Sequence, residues 1–201
     1  MTFEVIGMKP EHFEGVIELQ RLAFPAPFDE ELLWKKEHLE THVEKFPNGQ
    51  FVALDGEKVV GSCSNTLISK SHYDKHLSWE KTVGGYFLDT FEPEGKVMYG
   101  LDISVHPDYR RQGIGKAFYQ ERIFWAELLC ELYATACRLP DFQASGSSNV
   151  RQYCEDVKFG HRIDRTLTPL LSYGLFLTDV LEDYMNDPES GNAAALLEWR
   201  V

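Results

Sequence analysis

A short basic run with two glycines, residues 110–116, carries the residue types best suited to chemistry in this sequence. Its members are Arg110, Arg111, Gln112, Gly113, Ile114, Gly115 and Lys116. Glycine has no side chain, so an anionic group can come close to the backbone N–H groups of Gly113 and Gly115. The two arginines and the lysine add mobile positive charge. The run therefore predicts a binding site for a phosphate or a pyrophosphate.

The residues on both sides of this run predict the elements that must hold it. Residues 101–105 alternate between apolar and polar side chains, which is the period-2 pattern of a strand. Pro107 ends the strand because it has no N–H to donate to the ladder. A helical pattern begins at about Ile114. The basic run thus lies at a helix N-terminus, where free N–H groups and partial positive charge favour an anion.

Two common phosphate motifs do not fit the run. Ala117 stands where a P-loop has its Ser or Thr, and Phe118 stands where a dinucleotide fingerprint has its third glycine. What remains is Arg110-x-x-Gly113-x-Gly115, the pattern [Q/R]-x-x-G-x-[G/A]. This segment resembles the acetyl-CoA-binding motif of the GNAT acyltransferases, which also lies between a strand and a helix. The structural alternative is a helix cap with solvated arginines.

The resemblance implies a cofactor, a reaction and a fold. Acetyl-CoA is expected, with its pyrophosphate on the amides of residues 111–116 and its pantetheine along Ile103, Ser104 and Val105. The acetyl group is expected to pass directly to an amine, and the sequence has no G-x-S-x-G nucleophile motif. The implied fold is α/β (α+β), with a mixed, mostly antiparallel sheet flanked by helices. Two parallel strands are expected to splay apart at the cofactor.

Proton transfer needs a base for the amine and an acid for the departing thiolate. Asp102 is either the base or a buried structural carboxylate. Several GNAT members have a carboxylate where Tyr99 stands, but a phenol with an unperturbed pKa of about 10 is a poor base. By the same resemblance Tyr173 is the candidate acid, with Tyr153 as its rival. We interpret His106 as a turn residue.

Composition narrows the class of protein. The 201 residues are 43% hydrophobic and 26% charged, which is ordinary for a globular domain, and we expect one domain over residues 1–201. The formal net charge of −12 argues against nucleic acid and anionic membranes as partners. The same charge mildly favours a cationic acceptor such as an amine.

The cysteines and the termini give no sign of secretion. The four cysteines lack metal-ligand spacing, so we expect reduced thiols, no metal and a cytoplasmic location. They are Cys63, Cys130, Cys137 and Cys154. The N-terminus lacks signal-peptide anatomy, and Glu127 and Glu131 interrupt the most apolar run, 123–137, so no membrane span is predicted.

The rest of the chain predicts the elements around the site. Helices are expected over 10–23 and 30–45, the second capped by Asp29, followed by a hairpin of strands at 51–54 and from 59 to about 68. The connection 69–95 is either an acceptor-binding loop or a packed surface loop. A strand over 131–137 is expected parallel to the cofactor strand, and strands over 175–177 and 193–199 end the chain. Glu121 falls in the apolar stripe of the helix after the basic run, and we expect a structural ion pair there.

The C-terminal part carries a second resemblance. Residues 171–173, Tyr184, 187–190 and 196–199, with the early stretch 46–53, resemble a GNAT subgroup found alone or fused to carbon–nitrogen hydrolases. The sequence ends at Val201, so we expect no hydrolase segment within it. We therefore predict an N-acetyltransferase that acts on an amine of a small molecule or a peptide. The alternative is a catalytically silent acyl-CoA-binding sensor or interaction module. The sequence leaves undecided whether the protein forms a homodimer.

Overall fold

The computed structural model describes residues 2–25 and 30–201. Its strands are β1 (Glu4–Gly7), β2 (Phe51–Asp55), β3 (Lys58–Ile68), β4 (Val97–Val105), β5 (Leu132–Cys137), β6 (Phe176–Leu181) and β7 (Ala194–Arg200). Its α-helices are α1 (Phe13–Ala23), α2 (Lys36–Lys45), α3 (Lys70–Tyr73), α4 (Trp79–Val83), α5 (Ile114–Leu129), α6 (Val150–Lys158) and α7 (Leu167–Ser172). The predicted cap residue Asp29 lies outside the described residues.

The strands form a seven-stranded sheet in the order β1-β2-β3-β4-β5-β7-β6. Within it β4 and β5 run parallel, and the other neighbouring pairs are antiparallel. A parallel pair needs a crossover, and α5 supplies it between β4 and β5. The mixed, mostly antiparallel sheet predicted from the sequence is confirmed.

Two irregularities fall together in the middle of the sheet. In the β3–β4 pair Asn65 faces Gly100 and Ser64 faces Asp102, so Leu101 is an extra residue and forms a β-bulge. In the β4–β5 pair the ladder stops at Gly100, opposite Thr135. The partner strand β5 continues to Cys137 against β7. From Leu101 onward β4 therefore has no partner on its β5 side.

Helices cover both faces of the sheet. On the first face α1 and α2 pack with the segment 69–95 over β2, β3 and β4. On the second face α5 packs through Ile114 and Phe118 against Cys63 of β3, and α6 and α7 extend that core. The buried stripe of α5 is Ile114, Phe118, Tyr119, Arg122 and Ala126. Leu128, an apolar residue of the same helix, lies outside this stripe and is 63% exposed.

Three local predictions need correction. The expected helix over 30–45 is a 3₁₀ turn, Glu30–Leu32, followed by α2 from Lys36. The expected ion pair of Glu121 is not found among the described residues, where Glu121 lies instead beside Trp125 in a cleft under β1. The connection 69–95 contains α3 and α4. No helix in residues 2–25 and 30–201 is long and apolar enough to cross a membrane.

Candidate functional site

The basic run follows β4 through a tight turn. A 3₁₀ turn, Pro107–Tyr109, comes first, and His106 caps it by accepting the N–H of Asp108 at its Nδ1 over 3.2 Å. His106 is thus the turn residue that the sequence predicted. Arg111 and Gly113 both have positive φ, 62° and 94°, and this left-handed backbone turns the chain into the first residue of α5. A glycine is required at the second position because a side chain is strained there.

The backbone at the start of α5 faces open space. A Cβ atom built on Gly113 or on Gly115 meets no other atom within 4 Å. The absence of side chains here is therefore not forced by packing against the protein. The side chains of Arg111 and Lys116 make no hydrogen bond or ion pair within the described residues. This arrangement fits an anion held by the helix N-terminus, with two free cations beside it.

Two members of the run have other partners. Arg110 donates from Nη2 to the carbonyl of Ala23 at the end of α1, over 3.2 Å. Gln112 donates from Nε2 to the carbonyl of Asp108 over 2.9 Å. These side chains stabilise the loop and its contact with α1. The sequence pattern predicts the same role for Arg110 and Arg111. In the structure only Arg110 is bonded to α1.

The predicted pantetheine residues lie along the open side of β4. Ile103, Ser104 and Val105 pair with β3, and they have no strand partner on the side of β5. The Val105 carbonyl accepts Nε of Arg110 over 3.4 Å. Backbone groups here that no strand pairs can bind a ligand. The open edge ends at the turn that leads to the basic run. The structure therefore brings the predicted anion loop and the predicted pantetheine strand into one continuous surface.

The bulge at Leu101 decides where Asp102 points. Paired residues in an antiparallel ladder share a face, so Asp102 lies on the same face as Ser64. Without the extra residue Asp102 would face the opposite side, with Cys63. Burial raises the pKa of Asp102 to about 6, and the nearby Trp34 indole and Arg122 guanidinium oppose that rise. Its Oδ1 is buried and has no hydrogen-bond partner in the described part of the chain.

Three aromatic rings pack against one another, and one of them, Trp34, lies next to Asp102. The ring centroids of Trp34 and Trp79 are 6.1 Å apart, and Tyr86 lies 5.9 Å from Trp34 and 5.7 Å from Trp79. Leu101 packs against the same cluster. Gln20 of α1 fixes Trp34 by accepting its backbone N–H over 2.7 Å. No local pattern in the sequence marks Trp34, because its neighbours in the structure come from β4 and from the connection 69–95.

The connection 69–95 is tied to α2. The carbonyl of Tyr86 lies 2.8 Å from Nε2 of His42, so this nitrogen carries the proton. Burial lowers the pKa of His42 to about 4, and the ring stays neutral near pH 7. Lys45 donates to the carbonyls of Phe87 and Leu88. The connection thus packs as part of the fold, with its Trp79 and Tyr86 rings against Trp34. A role of this connection in binding the acceptor stays a prediction.

The tyrosines named from the sequence differ in their hydroxyl contacts. Tyr99 is fully buried, and its hydroxyl lies 2.9 Å from that of Tyr184. Tyr153 donates to Oδ2 of the buried Asp164 over 2.8 Å. No hydrogen bond joins the hydroxyl of Tyr173 to any residue in the described ranges. Tyr173 is half-buried beside Tyr119, with ring centroids 5.6 Å apart, on the α5 face of the sheet.

Arg122 is a residue of the site that the sequence analysis missed. It lies in the buried stripe of α5 and reaches the bulge in β4. The available signal was its spacing of four residues from Phe118 and from Ala126, which places it on the core face of a helix. A charged side chain on such a face needs buried partners. The identity of those partners depends on β3, β4 and β5 and could not be read locally.

The fold and this loop define a class of protein. The chain combines a mixed sheet, a parallel pair of strands that separates after Gly100, and an open loop at a helix N-terminus. The sequence model of the acetyltransferase (GNAT) family matches residues 13–145. The chain belongs to the GNAT acetyltransferase family.

Individual proteins are similar over nearly all of the chain. The uncharacterized N-acetyltransferase YkwB of Bacillus subtilis is 32% identical over 192 residues, covering 93% of this chain and 84% of that protein. The probable hydrolase YhcX of the same organism is 32% identical over 196 residues, and the chain spans 37% of its length. The GphF GNAT-like decarboxylase, solved with isobutyryl-CoA, superposes with a TM-score of 0.77 at 20% identity, covering 98% of each chain.

Proposed function

We propose that this protein transfers an acetyl group from acetyl-CoA directly to the nitrogen of an amine. The observation that carries the proposal is the continuity of three features along residues 101–116. These are an open β4 edge, the Asp102 carboxyl turned onto one face by a bulge, and open amides at the start of α5. Membership of the GNAT family supports this chemistry, and the 32% identity to a protein named as an N-acetyltransferase agrees with it.

The residues present fit a CoA thioester. The amides of residues 111–116 and the side chains of Arg111 and Lys116 would hold its pyrophosphate. The open backbone of Ile103, Ser104 and Val105 would hold its pantetheine. When bound, acetyl-CoA supplies an activated acyl group. The isobutyryl-CoA held by the GNAT-like decarboxylase GphF is a CoA thioester of the same kind and supports this choice of donor.

Asp102 is our candidate for the group that takes the proton from the amine. With a pKa of about 6, the carboxyl is ionised at neutral pH. Its pKa is close enough to 7 for it to accept a proton and release it again. Its buried Oδ1 is without a partner in the described residues and is available for a new hydrogen bond. Tyr173 is our candidate for the group that holds a proton for the departing sulfur, because its hydroxyl is uncommitted where that of Tyr153 is not.

The acceptor that fits this site is an amine on an apolar or aromatic carrier. The Trp34 side chain lies next to Asp102, and Trp79 and Tyr86 pack with it as an aromatic cluster. A carboxylate next to aromatic faces favours an ammonium group on arrival. Asp102 then removes the proton that would block attack. Both a small molecule and the end of a peptide have such an amine.

The first experiment compares thermal midpoints with and without acetyl-CoA. At about 100 times its Kd the ligand should stabilise the wild type by roughly 2.7 kcal/mol. Gly113→Glu places a carboxylate in the anion site and should lose this gain. Gly115→Ala is the matched control, because a methyl group fits the open space and the [G/A] pattern, and it should keep the gain. Equal gains in all three proteins, or no gain in the wild type, would exclude this loop as the cofactor site.

One observation favours the second candidate, a catalytically silent acyl-CoA-binding module. At the position where several family members have a carboxylate, Tyr99 is buried and engaged with Tyr184. Binding of acetyl-CoA does not separate the two candidates, since both need it. A screen of amines with detection of the free thiol does. Release of thiol that depends on an amine and is lost in Asp102→Asn supports the enzyme, and binding without release supports the silent module.

A further inference from the structure

Arg122 is a buried cation that has no carboxylate partner among the described residues. Its side chain is 1% exposed, and no Asp or Glu side chain in the described ranges lies within ion-pair distance of it. Its guanidinium carbon lies 5.1 Å from the ring centroid of Tyr119 and 5.8 Å from that of Tyr133. Burial of a charge is costly unless hydrogen bonds compensate for it. The hydrogen-bond partners of Arg122 therefore show which part of the structure depends on this buried charge.

The hydrogen bonds of Arg122 converge on the bulge. Nη2 donates to the carbonyl of Asp102 over 2.7 Å and to the carbonyl of Ser64 over 3.0 Å. Ser64 and Asp102 are cross-strand partners next to the extra residue Leu101. A bulge interrupts the ladder and leaves backbone groups there without strand partners. Arg122 supplies donors to carbonyls on both strands at this point.

The same guanidinium lies at the point where β4 and β5 separate. A Cβ atom on Gly100, the last residue of β4 that pairs with β5, would lie 3.1 Å from the Arg122 guanidinium carbon and 2.5 Å from the Tyr133 hydroxyl. Nη1 of Arg122 donates to that hydroxyl over 3.1 Å. Arg122 thus contacts β3, β4 and β5 at once, immediately before the open edge begins.

We infer that Arg122 is a positioning residue that holds the β4 bulge, and through it both the open edge for the pantetheine and the side of the sheet that Asp102 faces. Regular pairing of β3 with β4 would move Asp102 to the opposite face of the sheet. The consequence for catalysis rests on the proposed function, whereas the effect on β4 and on Asp102 does not.

The charge and the geometry of Arg122 can be tested apart. Arg122→Met removes both, and Arg122→Lys keeps the charge but replaces the planar guanidinium fork with a compact ammonium group on a single nitrogen. Tyr133→Phe is the matched control, because it removes one partner of Arg122 and leaves both carbonyl contacts. The charged or titratable side chains acting on Asp102 are Arg122 from α5 and Cys63 from β3. Burial raises the pKa of that thiol to about 11, so it stays neutral during the titration.

Two readouts are needed, and the first does not require ligand. The carboxyl ¹³C signal of Asp102, followed against pH, should titrate near 6 in the wild type and in Tyr133→Phe. Loss of a nearby opposite charge should raise the midpoint by about one unit or more in Arg122→Met. The second readout is the gain in thermal midpoint with acetyl-CoA, which should fall by more than half in Arg122→Met and Arg122→Lys.

The outcomes separate the inference from the proposed function. If both Arg122 variants keep the wild-type gain with acetyl-CoA and the wild-type Asp102 midpoint, Arg122 does not position this site. If Arg122→Met does not fold, Arg122→Lys provides the test. A thermal gain with acetyl-CoA reduced by more than half, with the Asp102 titration midpoint near 6, supports the inference. An unchanged thermal gain overturns it. If the wild type shows no gain with acetyl-CoA, the proposed function fails, and the Asp102 midpoint in the Arg122 variants alone tests the inference.

Discussion

At the residue scale, the behaviour of Asp102 follows from its burial. Its pKa in the folded protein is about 6, above the value near 3.9 expected in an unfolded chain. A carboxyl whose pKa is raised by folding contributes to the stability of the folded protein while it is protonated. This contribution is fully present below pH 4 and is lost as the pH rises through 6. A structural carboxylate normally has the opposite shift, as Asp187 does. A raised pKa of this kind suits a general base, and it supports the proposal that Asp102 takes the proton from the amine.

Asp102→Asn should lower activity while it raises stability. The rate of the wild type should rise with pH through about 6, because the base must be ionised, and the variant should lose about 10²–10⁴-fold at pH 8. The pKa of Asp102 differs by about two units between the folded and the unfolded protein. Asp102→Asn should therefore be more stable than wild type by at most about 3 kcal/mol at pH 8, and should show no such gain at pH 4. Thermal scans at both pH values, with thiol-release rates, check this. A variant less stable than wild type at pH 8 would make Asp102 a structural residue.

Tyr173→Phe and Tyr153→Phe form a matched pair. The hydroxyl of Tyr153 is bonded to the fully buried Asp164, so its loss should cost roughly 1.5–3 kcal/mol and lower the thermal midpoint. The hydroxyl of Tyr173 has no partner in the described residues, so its loss should leave the midpoint unchanged and lower the rate about tenfold or more. Circular dichroism melts and thiol release measure the two effects. Equal rates in wild type and Tyr173→Phe would remove Tyr173 as the acid.

At the scale of elements, the connection after β5 depends on one buried carboxylate. Arg138, just past β5, donates two bonds of 2.7 Å to Asp187, and the hydroxyl of Ser190 accepts the N–H of Leu139 over 2.8 Å. Burial opposes ionisation, but the bonds from Arg138 and Ser190 lower the pKa of Asp187 below its usual value. These contacts attach the β6–β7 connection to the end of β5, next to the open edge.

Arg138→Met should destabilise the protein at neutral pH by about 3–5 kcal/mol, because Asp187 is 5% exposed and loses its cation. The stability that depends on ionised Asp187 is present above pH 4 and is lost as pH falls through its lowered pKa. The difference between variant and wild type should therefore shrink in acid. Urea melts at pH 7 and pH 3 measure it. The matched control is Arg162→Met, whose exposed pair with Asp156 should change stability by less than about 1 kcal/mol.

At the scale of the whole molecule, the protein and the CoA ligand proposed for it are both anionic. The net charge is −12, so binding of CoA would depend on the few cations near the loop. The side chains of Arg111 and Lys116 are uncommitted in the described residues, while Arg110 is held by Ala23. The long-range repulsion and the local attraction are both screened by salt, and the local contacts dominate within a Debye length.

Arg111→Met and Lys116→Met should each weaken acetyl-CoA binding about threefold to fivefold at low ionic strength. Arg110→Met should have a smaller effect on binding, because its guanidinium is engaged with α1. Isothermal titration at 20 mM and 500 mM NaCl checks this, and the differences should shrink at about 500 mM, where the Debye length is roughly 4–5 Å. A larger loss in Arg110→Met than in the other two would reverse this assignment of the loop cations.

The sequence alone was sufficient for features whose cause is local. Alternation over 101–105, Pro107 and the glycines of the basic run determine a strand, a turn and a helix N-terminus, and the structure has β4, the 3₁₀ turn and α5 in those places. The resemblance built on these residues predicted the sheet and its parallel pair, and both are confirmed. The anion site itself stays a prediction, which the open space at Gly113 and Gly115 supports.

Only the tertiary structure decided which side chains meet at the site. Whether Asp102 faces Trp34 or Cys63 depends on one bulge, and a shift of one residue in register reverses the face of every following side chain. By our inference the bulge in turn depends on Arg122, which is 20 residues from Asp102 and 58 residues from Ser64 along the chain. No local pattern encodes such contacts, because they arise from how α5 and three strands pack together. The sequence therefore determined the cofactor loop as an expectation, and packing decided the residues proposed to act on the amine.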